Sequence, residues 1–140
     1  MNDLLLKQYI GLIECNNEEI SILANTSAFI MQNFQDISWA GFYLFKNNEL
    51  ILGPFQGKIA CTNIPLDKGV CGKAASTRKT VIVEDVHQFA GHIACDSESN
   101  SEIVIPLIKG NQLYGVLDLD STSFLSLIHI SEPTRLLSIS

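Results

Sequence analysis

The centre of the chain carries residues suited to thiol redox chemistry. Three cysteines, ten and 24 residues apart, are followed by three acids. The set is Cys61, Cys71, Cys95, Glu102, Asp118 and Asp120. A cysteine reacts as its thiolate, and the sulfenic acid formed on one thiol condenses with a second thiol to give a disulfide. This order of groups predicts a site in which one cysteine is oxidised to a sulfenic acid and a second cysteine then forms a disulfide with it.

Cys95 is expected on an accessible loop, because residues 86–100 are small and polar with little periodicity. Its neighbours Asp96 and Glu98 oppose ionisation of the thiol. A stabilised thiolate therefore requires the positive group of a substrate, backbone N–H groups or a base, and His92 is one local choice. Were Cys95 the only cysteine, an unreactive surface thiol would explain it equally well.

The remaining cysteines differ in their expected positions. Cys61 follows the second predicted strand and Cys71 begins a predicted helix, so both are expected to face a cleft shared with Cys95. Cys15, at the far end of the first helix, has no such partner and is interpreted as structural. Zinc is the alternative use, with His87, His92, Cys95 and either Cys61 or Cys71 as ligands, although the paired C-x-x-C spacing of structural zinc sites is absent.

The acids are expected on one face of a sheet. Alternation along a strand separates its two sets of side chains. The first set is Tyr114, Val116, Asp118 and Asp120, and the second is Leu113, Leu117 and Leu119. Glu102 begins the partner strand of the hairpin and should approach the aspartates across the ladder. The alternative is an exposed polar face with solvated acids.

Trp39 and Tyr43 would line the same face if the two hairpins adjoin. Carboxylates beside an aromatic wall suit a free amino acid, because the acids take its ammonium group and the rings pack against its side chain. The sequence therefore indicates a small zwitterionic or cationic ligand.

The elements that hold these residues are helices followed by strands. Helical spacing of apolar residues predicts helices over residues 2–13 and 17–33. Alternation predicts a hairpin over residues 39–55, then a short helix at 67–79 and a strand at 80–85. A second hairpin over residues 102–121 turns at Gly110-Asn111. The prediction is an α+β domain around one antiparallel sheet.

Composition limits the function. The chain of 140 residues, 46% of them apolar, has the size of one globular domain. Its net charge of −6 argues against a nucleic-acid partner. The sequence shows neither a signal peptide nor a membrane span, so no membrane partner and a cytoplasmic location are expected. In a reducing compartment the cysteines are expected to be free, metal-bound or catalytic.

Residues 125–140 depart from this order, since Pro133 interrupts what should be a covering helix. We interpret residues 1–124 as the domain and residues 125–140 as an atypical tail.

The run from Trp39 to Asp120 closely resembles the free methionine-(R)-sulfoxide reductases, which are single GAF domains. The resemblance lies in the segments WAGFYL, LGPFQGKIACTNIPLDKGVCG, VEDVHQFAGHIACDSESNSEIVIPL and GVLDLDS. It implies a GAF-like α+β fold with a central antiparallel sheet of five to six strands. The N-terminal helices would cover one face, and a cysteine-bearing loop would lie over a ligand pocket on the other. Because members of the family continue into a final amphipathic helix, the resemblance implies that residues 125–140 are an artefactual or read-through extension that replaces this helix. The loss of the helix would leave apolar surface uncovered.

The resemblance also implies roles for individual residues. Cys95 would be the nucleophile, Cys61 the principal resolving cysteine and Cys71 an auxiliary or alternative partner. The acids Glu102, Asp118 and Asp120 would hold the amino group or handle protons, and Trp39 would contact the methyl end of the substrate.

The implied reaction is reduction of free L-methionine (R)-S-oxide through a sulfenic acid and an intramolecular disulfide, with thioredoxin-type regeneration and no metal or organic cofactor. An acid that donates a proton at neutral pH needs a raised pKa, which the clustering of three acids in a closed pocket would supply. A homodimer stays open. A non-catalytic GAF module that binds a small molecule, a redox sensor and an inactive chimera are the alternative interpretations.

Overall fold

The computed structural model describes residues 3–15, 17–91 and 99–123. Three helices, a short 3₁₀ turn and six strands make up this part of the chain. In chain order they are α1 (Asp3–Glu14), α2 (Glu19–Asn33), β1 (Ile37–Lys46), β2 (Glu49–Gln56), β3 (Asn63–Pro65), α3 (Gly69–Thr77), β4 (Val81–Val83), the 3₁₀ turn (Val86–Gln88), β5 (Ser101–Lys109) and β6 (Gln112–Ser121). The helices and both hairpins that the sequence predicts are therefore confirmed within a few residues.

Two tight turns fix the hairpins. Asn47 and Asn48, between β1 and β2, have φ angles of 53° and 64°, in the left-handed region that asparagine tolerates better than most residues. Gly110, between β5 and β6, has a φ of 64°. These turns set the registers of the strands that carry the acids and the aromatic residues.

The strands form one antiparallel sheet in the order β3-β2-β1-β6-β5-β4. The pairing of β1 with β6 places the two hairpins side by side, as the predicted aromatic wall requires. This arrangement agrees with the predicted α+β fold and its sheet of five to six strands.

Helices α1 and α2 cover one face of the sheet. Tyr9 of α1 and Leu23 and Ile30 of α2 pack in a core with apolar side chains of β1, β5 and β6. The Tyr9 hydroxyl is hydrogen-bonded to Thr26 Oγ1 at 3.0 Å, which joins the two helices. No helix in the described ranges has the length and apolar character needed to cross a membrane.

Helix α3 covers part of the other face. Val70, Cys71, Ala74 and Ala75 pack with apolar residues of the strands, among them Val104 and Val116. The three acids lie at the end of this second core, where β5 begins and β6 ends.

The predicted facing of β6 is wrong at its start. Tyr114 packs with the core under α1 and α2, whereas Leu113 packs with the core under α3. The register shifts where Leu107 faces Gly115 and Ile108 faces Leu113, so Tyr114 is an extra residue in its strand. Such a bulge reverses the alternation on one side of it. From Val116 to Asp120 the predicted facing is confirmed.

Candidate active site

The ladder of β1, β6 and β5 brings the three acids together. Asp120 lies opposite Trp39 on one side and opposite Glu102 on the other. Asp118 lies two residues before Asp120 and therefore shares its face. The side chains of Glu102, Asp118 and Asp120 are 7%, 5% and 9% exposed, so the alternative of solvated acids does not hold.

Cys71 joins this cluster from α3. Its Sγ lies 3.9 Å from Glu102 Oε2 and within 4.8 Å of a carboxylate oxygen of Asp118. The close approach of α3 depends on Gly72, where a Cβ would lie 2.8 Å from the carbonyl oxygens of Leu66 and Pro65. A larger residue at this position would push the helix, and the thiol, away from the acids.

Burial and mutual repulsion raise the pKa of two members of this cluster, Asp118 and Cys71. Burial, and then the charges of Asp120 and Glu102, raise the pKa of Asp118 well above its usual value. Burial also raises the pKa of the Cys71 thiol, with Asp118, Glu102 and Asp120 adding to the effect. Asp118 Oδ1 is buried and has no hydrogen-bond partner among the described residues. The cluster can therefore donate a proton or accept a cationic group.

The aromatic wall stands beside the acids. The Trp39 ring stacks on Phe55 with centroids 5.1 Å apart and on Tyr43 with centroids 6.0 Å apart. The indole Nε1–H donates a hydrogen bond of 2.9 Å to the Lys58 carbonyl. These contacts hold the ring in one orientation, which suits the packing of an apolar side chain.

Gly41 makes this wall possible. A Cβ at Gly41 would lie 2.3 Å from Phe55 Cβ and 2.7 Å from Trp39 Cη2. The space that a side chain would fill is therefore taken by the Trp39 ring and by Cβ and Cα of Phe55.

Tyr43 connects the acid cluster to Cys61. Its hydroxyl donates a hydrogen bond of 2.9 Å to the Cys61 carbonyl. Burial, followed by the charges of Asp118 and Cys71, raises the pKa of Tyr43, so the phenol stays a neutral donor at physiological pH. This bond positions the backbone of Cys61 next to the site.

The cysteines are in different states. Cys61 is disulfide-bonded and half-buried, Cys71 is a buried free thiol, and Cys15 is an exposed free thiol. Cys15 therefore does not occupy the core position expected of a structural cysteine. Cys95 and His92 lie outside the described residues, as do Asp96, Glu98 and residues 125–140.

The zinc site considered from the sequence is described only in part. His87 is exposed, and its Nε2 lies 3.2 Å from Asn100 Oδ1. Within the described ranges, a group with metal-ligand atoms close together is instead Cys71, Glu102 and Asp118, whose ligand atoms lie within 4.8 Å of one another.

Two contributors were missed from the sequence. Phe55 supports Trp39 through its ring. The register shift between Leu52 and Phe55 breaks the alternation of β2, so no simple periodic pattern places Phe55 on the same face of the sheet as Trp39. Lys58 contributes only a backbone carbonyl, and no side-chain pattern signals such a role.

Comparison with known proteins gives one consistent family. A model described as GAF domain matches residues 18–130. The chain is 52% identical over 120 residues to the free methionine-R-sulfoxide reductase of Escherichia coli K12, covering 86% of this chain and 73% of that protein. It is 45% identical over 136 residues to the Saccharomyces cerevisiae protein of the same name, covering 91% and 76%.

A solved structure agrees with these relatives. The free methionine-R-sulfoxide reductase from Neisseria meningitidis, in complex with its substrate, superposes with a TM-score of 0.88 at 39% identity. The match covers 96% of this chain and 84% of that one.

Proposed function

Because this chain belongs to the GAF-domain family, and within it to the free methionine-R-sulfoxide reductases, we propose that it reduces free L-methionine (R)-S-oxide to L-methionine. The observation that carries the proposal is the buried set of Glu102, Asp118 and Asp120 on one face of the sheet, next to the fixed Trp39 ring. A free amino acid supplies both groups that such a site would bind, namely an ammonium group and an apolar side chain.

The acids bind the ammonium group of the substrate, and Trp39 and Tyr43 pack against its methylthio end. The buried Asp118 Oδ1 supports this role, because an ammonium N–H would satisfy an acceptor that otherwise costs about 1–3 kcal/mol. An acid cluster closed off from water also discriminates against peptides, in which the corresponding nitrogen is a neutral amide.

Cys95 is the nucleophile. Its thiolate attacks the sulfoxide sulfur while Glu102 or Asp120 protonates the oxygen, which is otherwise a poor group to transfer. Methionine leaves, and Cys95 keeps the oxygen as a sulfenic acid. The raised pKa of Asp118 supports a pocket that holds protons at neutral pH.

Cys61 resolves the sulfenic acid. Its thiol attacks the Cys95 sulfur, a disulfide forms and water leaves. Two observations support this pairing: Cys61 is disulfide-bonded, and Cys15 and Cys71 are free thiols. Cys71 is the auxiliary partner, which would form the disulfide with Cys95 in a chain that lacks Cys61.

A thioredoxin-type dithiol then reduces the disulfide by exchange. Overall, one sulfoxide and one dithiol give one methionine, one disulfide and one water. The chemistry needs no metal or organic cofactor. Such a reductant is compatible with action in the cytoplasm. Every residue named in the mechanism lies within residues 1–124, so the mechanism does not depend on whether residues 125–140 replace a helix of the family.

A redox-sensing GAF module is the second candidate, and the disulfide of Cys61 is the observation that favours it. A sensor would be oxidised once by a general oxidant and would not consume sulfoxide in proportion to reductant.

The test is turnover by the purified chain with a thioredoxin system and a panel of sulfoxides. We expect the R isomer of free methionine sulfoxide to be reduced, and the S isomer and a sulfoxide-bearing peptide to be left unchanged. Reduction of the peptide at a similar rate would redirect the assignment to protein repair. No reduction of any member would favour the sensor.

A further inference from the structure

Cys71 is a group that the proposed reaction leaves almost unused. The ammonium group of a substrate needs hydrogen-bond acceptors, and the carboxylates supply them, whereas a thiol is a weak acceptor. Yet the Cys71 side chain is only 4% exposed, and its Sγ is directed at the acids, 3.9 Å from Glu102 Oε2. It is still a free thiol when Cys61 is disulfide-bonded. Its place among the acids therefore fits another ligand.

We propose that Cys71, Glu102 and Asp118 form a binding site for a thiophilic divalent cation of the Zn²⁺ or Cd²⁺ class. Their ligand atoms lie within 4.8 Å of one another. A tetrahedral zinc with bonds of about 2.3 Å to sulfur and about 2.0 Å to oxygen brings those atoms to roughly 3.5 Å. The observed separation of 3.9 Å between Cys71 Sγ and Glu102 Oε2 needs only a small side-chain adjustment.

A second observation points to a cation independently of the clustering. Asp118 is 5% exposed, and its Oδ1 is buried without a hydrogen-bond partner among the described residues. A cation bound by the Asp118 carboxylate would offer this oxygen the partner that it lacks. The three side chains come from α3, β5 and β6, which pack together, so the ligands are held by regular elements rather than by a loop.

The mixture of ligands selects the class of metal. Sulfur with carboxylate oxygen suits Zn²⁺ and Cd²⁺, whereas Mg²⁺ and Ca²⁺ prefer six or more oxygen ligands. Binding replaces the thiol S–H bond by a metal–sulfur bond and releases the proton to solvent, with no change in oxidation state. Affinity should therefore rise with pH.

The metal would occupy the position of the substrate's ammonium group. It should raise the KM for the sulfoxide and leave kcat unchanged at saturating substrate. This kinetic consequence rests on the proposed function, whereas metal binding does not.

The test is a Cd²⁺ titration of the full chain with Cys15, Cys61 and Cys95 changed to serine, which leaves Cys71 as the single thiol. Thiolate-to-cadmium charge-transfer absorption should appear with one equivalent. The matched variant that also carries Cys71→Ser should show none, and Asp118→Asn should weaken binding at least tenfold. The absence of the band in a folded single-thiol chain, or its indifference to Asp118→Asn, would overturn the proposal.

A second readout avoids the triple variant. Calorimetry with Zn²⁺ on the oxidised Cys15→Ser chain, in which Cys61 is disulfide-bonded, should show one site that Cys71→Ser removes. A site that survives Cys71→Ser would contradict the assignment.

Kinetics separate the two proposals. If Zn²⁺ binds through Cys71 and the KM does not change in an active enzyme, the competition is refuted. If Zn²⁺ binds through Cys71 and the chain reduces no sulfoxide, the metal site stands and the proposed function fails.

Discussion

Asp118→Asn should stabilise the fold and damage the site at the same time. Asp118 is 5% exposed, and its Oδ1 has no hydrogen-bond partner in the described part of the chain. Burial and the neighbouring acids raise its pKa well above the usual value of 3.8. Asparagine has nearly the same shape and carries no charge, so the substitution removes the ionisation while keeping the packing.

The sign follows from proton binding. As the pH rises above about 4, the unfolded chain loses this proton while the folded chain keeps it, so the free energy of unfolding falls. The fall is at most about 1.4 kcal/mol per pH unit and ends above the folded-state pKa. Asp118→Asn removes this loss, so its advantage over the parent should grow between pH 4 and pH 8.

The expected gain at pH 8 is at least about 1–3 kcal/mol, because Asp118→Asn removes the cost of burying an ionisable group, which exceeds the desolvation penalty of a neutral polar group. With roughly 4 °C per kcal/mol for a domain of this size, Tm should rise by several degrees. Thermal and urea unfolding at pH 5 and pH 8 measure this directly. Asp67→Asn, at an exposed position, is the control and should change neither Tm nor its pH dependence.

Activity should move in the opposite direction. Loss of a carboxylate that pairs with the ammonium group, about 1.5–3 kcal/mol, should lower kcat/KM by roughly 10- to 100-fold. A variant that is less stable than the parent at pH 8, with an unchanged pH dependence, would refute the account of Asp118 as a buried acid kept neutral by its surroundings.

Three further substitutions test other parts of the site. Cys61→Ser should release one methionine per chain in a single turnover but lose most turnover supported by thioredoxin, as chromatography of released methionine would show. Undiminished turnover would exclude Cys61 as the main resolving residue. Gly41→Ala should destabilise the fold by about 1–3 kcal/mol in urea unfolding, because the new Cβ would lie 2.3 Å from Phe55 Cβ. The control is Gly11→Ala, whose Cβ would have no atom within 4 Å, and this substitution should be neutral or stabilising. Tyr43→Phe removes the hydrogen bond to the Cys61 carbonyl. Stopped-flow measurement should therefore show slower formation of the disulfide, with the reduction of the sulfoxide by Cys95 little changed. Equal slowing of both steps would indicate a general loss of the pocket.

The regular elements could be predicted because their signals are local. Periodicity marks α1 and α2, and aromatic alternation with the Asn47-Asn48 turn marks the first hairpin. The common face of Asp118 and Asp120 follows from strand geometry alone. The adjacency of the two hairpins required the pairing of β1 with β6, which no local pattern specifies.

Other features depend on tertiary structure. The bulge at Tyr114 reverses the facing at the start of β6, and its position is fixed by pairing rather than by sequence. The burial of Cys71 does have a local signal, since Cys71, Ala74 and Ala75 have the i, i+3, i+4 spacing of the buried face of a helix. The raised pKa expected from the clustering of the three acids is confirmed for Asp118. The sequence could not single out this acid, because its burial depends on how closely α3 covers it.

The central claim is that this chain transfers the oxygen of free methionine sulfoxide to Cys95 and passes the oxidation to a dithiol. The most direct measurement is a mass balance of methionine formed against thioredoxin oxidised, for the parent chain and for Cys95→Ser. The account predicts one methionine per thioredoxin disulfide in the parent and no methionine from Cys95→Ser. Methionine formation by Cys95→Ser, or thioredoxin oxidation without methionine in the parent, would contradict it.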